Sequence, residues 1–208
     1  MERSDIRRIG VVGAGTMGAG IAQVAAQGGY EVLLYDVADE IVARAQEQIA
    51  HFIRRLAGKG KIATEEAAAA IERITTTSTL DTLRDAQFVV EAAPERLELK
   101  KKIFAELEGI VAPGVILATN TSTLSVTLIG AATKSPERVV GMHFFNPAAL
   151  MPLVEVIAGA ATDPAVVNLT VEVARALGKK PVRVKDVPGF IVNRVARPFH
   201  LEGLRLLE

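Results

Sequence analysis

The sequence predicts a doubly wound α/β fold built on a mostly parallel sheet. Short apolar runs alternate with segments of helical period along most of the chain. The first run, Arg8-Ile9-Gly10-Val11-Val12, breaks into the glycine-rich turn Gly13-Ala14-Gly15-Thr16-Met17-Gly18. The second run closes on an acid, Asp36. A strand, a glycine turn, a helix and an acid-terminated strand make one βαβ unit of the dinucleotide-binding, Rossmann-like kind.

The elements follow in order. Arg8–Val12 reads as a buried parallel strand. Residues 16–27 read as a helix stopped by Gly28-Gly29. Glu31–Tyr35 is the second strand. Ile41, Ala45, Ile49, Phe52, Ile53 and Leu56 then recur at helical spacing until Gly58-Lys59-Gly60. A second, alanine-rich helix is expected from Thr64, its N-cap, to about Ile74. This pair, residues 38–74, reads as a helical hairpin inserted after the second strand, or equally as ordinary crossover packing. Strands are expected at Gln87–Glu91, Val115–Thr119, Val139–Met142, Leu153–Ile157 and Pro181–Val184, and helices over residues 99–111 and 163–177. From Phe190 the pattern is apolar and helical, with Pro198 expected to kink or divide it. The chain stops at Glu208 inside this pattern, which predicts a truncated C-terminal helical segment whose domain is mostly absent.

Composition narrows the class. Half of the 208 residues are hydrophobic and 23% are charged, as in a globular domain. Lys+Arg and Asp+Glu balance at 24 each, so charge gives no reason to expect nucleic acid. No apolar run approaches a membrane span, and the polar start lacks a signal-peptide core, which predicts a cytoplasmic protein. With no cysteine there is neither disulfide nor thiolate chemistry, and no metal-ligand set stands out.

The glycine turn carries the clearest chemistry. Gly13 permits a tight turn, Gly15 lets backbone approach a pyrophosphate, and Gly18 lets the helix pack on the strand. The helix N-terminus then offers free N–H groups to the phosphates. Asp36 would accept from the adenosine ribose and repel a 2′-phosphate, favouring NAD over NADP; alternatively it is a turn residue. Ser122 follows a strand's carboxyl end, where ligands bind in such sheets, or it belongs with Thr121 to a helix-start turn. His143 lies at a strand end in an apolar run, as a catalyst or as a satisfied core residue. Glu155 is the one acid between Arg138 and Asp163, inside a strand otherwise apolar. Such a carboxylate is costly unless paired, and neighbouring strands would make it the partner of His143; on an edge strand it would face water. Asn193 follows a Pro-Gly turn early in a helix, where it could simply be a cap.

Together Val89–Glu95, Ala118–Ser122, Gly141–Pro147, Leu153–Val156 and Pro188–Arg194 resemble the NAD-dependent L-3-hydroxyacyl-CoA dehydrogenases, including the bacterial 3-hydroxybutyryl-CoA enzymes. The resemblance runs from Ile9 to about Leu207. Residues 191–199 also resemble the branch that oxidises 3-hydroxyadipyl-CoA in phenylacetate breakdown. The resemblance implies an NAD-binding domain over residues 1–187 and the start of a helical domain over 188–208. It implies His143 as general base, Glu155 as its orienting partner, and Ser122 and Asn193 as contacts to the substrate's oxygens. Glu95, Lys100, Asn120, Ser122 and Asn146 are implied as cofactor contacts, with Gly13, Gly15, Thr16, Met17, Gly18 and Asp36. Residues 38–74 would carry coenzyme A, with Arg54, Arg55, Lys59 and Lys61 as candidates for its phosphates. An acyl-CoA thioester is the implied substrate, and a homodimer through the C-terminal helices the implied assembly. Two other classes stay open: an NAD-binding regulatory or crystallin-like structural protein, and a hydroxy-acid dehydrogenase acting on free acids.

Overall fold

A computed structural model describes residues 2–207; Met1 and Glu208 lie outside the described residues. The chain forms eight strands and seven longer helices among these residues, with short 3₁₀ turns between. They run β1 (Arg8–Val12), α1 (Thr16–Gln27), β2 (Glu31–Tyr35), α2 (Asp39–Gly58), α3 (Thr64–Glu72), β3 (Ile74–Thr77), β4 (Phe88–Glu91), α4 (Leu97–Ile110), β5 (Ile116–Thr119), α5 (Val126–Gly130), β6 (Val139–Phe144), β7 (Leu153–Ala158), α6 (Pro164–Ala176), β8 (Lys180–Lys185) and α7 (Val192–Arg205).

All eight strands share one sheet, in the order β3-β2-β1-β4-β5-β6-β7-β8. Every pairing is parallel except β6 with β7. The order reverses between β1 and β4, which opens the crevice where such sheets bind ligands. Apolar side chains alternate between two cores. Val32, Leu34, Phe88 and Val90 pack with α1, α2, α3 and α6 on one face. Leu33, Val89 and Leu117 pack with Phe104 and Leu107 of α4, Val126 and Ile129 of α5, and Phe190 on the other. Covering both faces is what lets the parallel strands be apolar on both sides.

The structure departs from the sequence reading at Ile74 and Thr64, and it decides between the open alternatives for Glu155 and Pro198. Ile74 begins β3 instead of ending a helix, and β3 pairs parallel with β2. The helical pair is therefore the β2–β3 crossover. A four-residue edge strand with three threonines carries no apolar periodicity to announce it. Thr64 is the first helical residue of α3; the N-cap is Ala63, whose N–H is accepted by Glu66. Glu155 is not on an edge strand, because β8 flanks β7. Pro198 sits inside α7 without dividing it. No helix of the described residues is long and apolar enough to cross a membrane.

Candidate functional site

The carboxyl ends of β1, β4, β5 and β6 converge on one edge of the sheet, and the loops leaving them hold most of the candidate residues. The glycine turn comes first. Gly13 has φ +97°, and a Cβ there would sit 2.8 Å from the Ala92 carbonyl oxygen. At Gly18 a Cβ would fall 1.6 Å from the Gly13 oxygen, so helix and turn can approach only through glycine. Gly15, the N-cap of α1, faces open space: nothing lies within 4 Å of the place a Cβ would take. The first intrahelical bond runs from Ala19 N to Gly15 O, so the N–H groups of Thr16, Met17 and Gly18 precede the helix's own ladder. An open cradle beneath a helix N-terminus with no acid in its first turn suits a pyrophosphate.

Asp36 closes β2 beside this turn. Its Oδ2 accepts from Ala14 N at 2.7 Å and its Oδ1 from Val37 N at 2.8 Å. The carboxylate thus fixes the turn while keeping lone pairs for further donors. The sequence alone did not show this cross-link between β2 and the glycine turn.

A buried ion pair underlies the next loop. Glu91, ending β4, is fully buried and pairs with Lys100 of α4 at 2.7 Å. Glu91 also accepts from Ala93 N at 2.6 Å and from Thr119 Oγ1 at 2.7 Å, which offsets the cost of burying the charge. Lys100 further donates to Ala93 O and lies 3.6 Å from Glu95. With its side chain 1% exposed, Lys100 acts from beneath the loop instead of presenting its ammonium to the crevice. Glu95 is partly exposed and accepts from Thr121 Oγ1 at 2.6 Å, Ser122 N at 2.8 Å and Thr123 N at 3.2 Å. Burial pushes the Glu95 carboxyl up, but these hydrogen bonds and the Lys100 charge outweigh it and hold the group below the usual carboxylate range.

Asn120 is buried, and its Oδ1 accepts from Phe144 N at 2.8 Å. It stitches the end of β5 to β6 beside His143, so its carbonyl is occupied by the protein itself. Ser122 does not start a helix: Thr121 Oγ1 accepts from Leu124 N in a local turn, and the N-cap of α5 is Ser125. Asn146 is exposed just past β6.

The antiparallel β6–β7 pair sets His143 directly opposite Glu155. His143 Nδ1 and Glu155 Oε2 are 2.8 Å apart, with the side chains 5% and 1% exposed. The carboxylate accepts, which places the proton on Nδ1 and leaves Nε2 a lone pair. The imidazole also lies 4.5 Å, ring centre to ring centre, from Phe145 and 5.9 Å from Phe190. Glu155 Oε1 accepts from Ile191 N and Val192 N, each at 2.9 Å. These N–H groups enter α7, so one carboxylate orients the imidazole and docks the helix. Phe190, immediately before, has φ +51°, a strained conformation for a bulky residue. Burial of its ring and a hydrogen bond from Phe190 N to Val187 O hold it there. In the first turn of α7, Asn193 Nδ2 donates to Ser122 O at 3.3 Å. Ser122, His143, Glu155 and Asn193 are thus joined through one set of contacts.

Arg54, Arg55, Lys59 and Lys61 lie exposed at the far end of α2 and just beyond it, with no ion-pair partner among the described residues. Nothing in the structure ties them to the His143 cluster. The described residues contain no group of three or more His, Cys, Asp or Glu able to hold a metal.

Comparison with known proteins shows the family and the fold. Residues 8–187 match the family described as 3-hydroxyacyl-CoA dehydrogenase, NAD binding domain. The chain is 47% identical over 204 residues to a 3-hydroxyadipyl-CoA dehydrogenase of Escherichia coli, covering 98% of this chain and 43% of that protein. It is 42% identical over 205 residues to a 3-hydroxybutyryl-CoA dehydrogenase of Mycobacterium tuberculosis, covering 98% and 72%. The crystal structure of an E. coli 3-hydroxybutyryl-CoA dehydrogenase superposes with a TM-score of 0.95 at 46% identity, covering 97% of this chain and 43% of that one. The chain therefore spans less than half the length of one relative and about three quarters of another.

Proposed function

Because the chain belongs to the 3-hydroxyacyl-CoA dehydrogenase family and carries its NAD-binding domain, we propose that the protein interconverts an L-3-hydroxyacyl-CoA and the 3-ketoacyl-CoA. The observation that carries this reading is the buried His143–Glu155 pair, 2.8 Å apart on facing strands. Bound NAD supplies the hydride acceptor. The chain supplies the proton chemistry and the placement. Nε2 of His143 takes the hydroxyl proton, and Glu155 stabilises the imidazolium that results. Ser122 and Asn193 contact the oxygens of the substrate. Gly13, Gly15, Thr16, Met17 and Gly18 receive the pyrophosphate and Asp36 the ribose. Glu95 and Asn146 face the cofactor, while Lys100 and Asn120 act from behind, holding the loops that carry them.

The exposed cations Arg54, Arg55, Lys59 and Lys61 are candidates for the coenzyme A phosphates. Association into a homodimer through α7 is supported by its uncovered apolar residues, among them Val195, Phe199 and Leu204. NADH formation tests the function, using 3-hydroxybutyryl-CoA, longer 3-hydroxyacyl-CoAs, 3-hydroxyadipyl-CoA and the corresponding free acids. Turnover of thioesters that disappears in His143→Ala is expected. Equal turnover of the free acids, or NAD binding without turnover of any substrate, would replace this reading with one of the alternatives above.

A further inference from the structure

One half-buried anion outside the His143 cluster, Asp186, takes no part in the proton chemistry. Asp186 follows β8 in the linker to α7, and it receives four hydrogen bonds from a segment about 60 residues earlier. Its Oδ2 accepts from Ser125 Oγ at 2.8 Å, Thr127 N at 2.8 Å and Thr127 Oγ1 at 2.6 Å. Its Oδ1 accepts from Val126 N at 3.0 Å. Thr127 Oγ1 in turn accepts from Ala160 N at 2.9 Å, just beyond β7. The carboxylate thus fastens the β8–α7 linker to the start of α5.

The two segments it joins are those that lead to the proposed substrate contacts. Ser122 lies three residues before Ser125, and Asn193 seven residues after Asp186. Between Asp186 and Asn193 the chain passes through Gly189 at φ +76° and Phe190 at φ +51°, then meets Glu155 through Ile191 N and Val192 N. The linker is therefore held at both ends by a carboxylate, Asp186 at one and Glu155 at the other. The contact from Asn193 Nδ2 to Ser122 O, 3.3 Å, lies beyond the second.

We propose that Asp186 is a positioning residue that sets Asn193 against Ser122, acting through the linker and not on the substrate itself. The proposal rests on the reading of Ser122 and Asn193 as substrate contacts. Four charge-assisted hydrogen bonds on one carboxylate make a fixed joint, because the anion accepts from donors arriving from both backbone and side chains. An amide in its place has one oxygen and presents an NH₂ group to donors, so part of the joint opens. A misplacement on the order of 1 Å at a reacting centre can cost about 10²-fold in rate.

The test compares Asp186→Asn, Asn193→Ala and the double variant. Asp186→Asn is expected to lower kcat/KM for the thioester by about 10- to 10²-fold while NAD affinity stays within about twofold. In the Asn193→Ala background the same substitution should cost less than about threefold, since the group it positions is gone. Thr127→Ser, which keeps the hydroxyl donor, should behave as the unmodified protein, and Thr127→Val should reproduce part of the loss. Equal losses in both backgrounds, or NAD affinity falling in step with turnover, would overturn the proposal. Should the unmodified protein oxidise no thioester, the proposed activity fails and amide hydrogen exchange decides the joint. Faster exchange in Asp186→Asn or Thr127→Val at residues 190–193 as well as 125–127 supports it, and a change confined to 125–127 overturns it.

Discussion

Glu155 stands directly across the β6–β7 ladder from His143, and its two oxygens serve different partners. Oε2 takes the imidazole Nδ1 at 2.8 Å, and Oε1 takes the N–H groups of Ile191 and Val192 at 2.9 Å each. Placement of the base and docking of α7 therefore depend on the same side chain.

Glu155→Gln is expected to lower kcat by on the order of 10²-fold or more while NAD affinity changes little, because the amide neither fixes the tautomer nor stabilises an imidazolium. Glu155→Ala should in addition lose about 1–3 kcal/mol of stability, since it leaves buried donors without an acceptor. Steady-state kinetics, calorimetric titration with NAD and denaturant unfolding read the three quantities. Near-normal turnover in Glu155→Gln would remove the carboxylate from the mechanism.

The two fingerprint glycines should separate folding from binding. Gly18→Ala places a methyl into the Gly13 oxygen, so it should cost about 1–3 kcal/mol or more and lower Tm. Gly15→Ala meets open space at a φ of −68°, which alanine adopts freely, so stability should hold. Its methyl would nonetheless occupy the cradle, and NAD affinity should fall by about tenfold or more, roughly 1.4 kcal/mol. Tm and NAD affinity measured on both variants check the contrast; a normal affinity in Gly15→Ala would place the pyrophosphate elsewhere.

Asp36 should set the choice of cofactor. A 2′-phosphate beside its carboxylate adds repulsion of a few kcal/mol at about 4 Å and an effective dielectric near 20. NAD should therefore bind far more tightly than NADP, and Asp36→Ala should narrow the gap. The same variant frees Ala14 N, so some loss of NAD affinity is expected with it. Titration of both cofactors into both proteins measures this, and equal affinities in the unmodified protein would contradict the role given to Asp36.

Acid should destabilise the fold through carboxylates that the native structure keeps ionised. Burial pushes Glu108 up, but the Lys134 and Ser135 N–H groups and Arg138 outweigh it and hold the carboxyl below its usual range. Glu95 and Asp186 are depressed in the same sense by their hydrogen bonds, against the same opposing effect of burial. A folded pKa below the unfolded one gives stability that is fully present above the unfolded value, near 4, and is lost as pH falls through the folded one. Unfolding free energy should thus decline below about pH 5, and Glu108→Gln should make that decline shallower. Chemical denaturation across pH 2–6 tests it; an unchanged slope in the variant would show that Glu108 does not contribute.

Much of this protein was written in local sequence. The run-and-helix alternation placed nearly every strand, because a strand buried on both faces must be apolar throughout and a packed helix must repeat near 3.6. The glycine turn was legible for the same reason: close approach admits no other residue at Gly13 and Gly18. An acid inside Leu153–Ile157 already signalled that Glu155 needed a partner. Tertiary structure decided whether His143 was that partner, and it alone chose the partners of Lys100, Asn120, Asp36 and Asp186. It ran β7 antiparallel to β6 and so brought Glu155 opposite His143, and it buried Lys100 against Glu91. It turned Asn120 toward Phe144 N, joined Asp36 to Ala14 N, and bound Asp186 to a helix start about 60 residues away. Periodicity records which side of an element is buried, and that is a local property of the chain. A hydrogen bond or ion pair between distant segments depends on strand order and register, which arise only when the whole sheet closes.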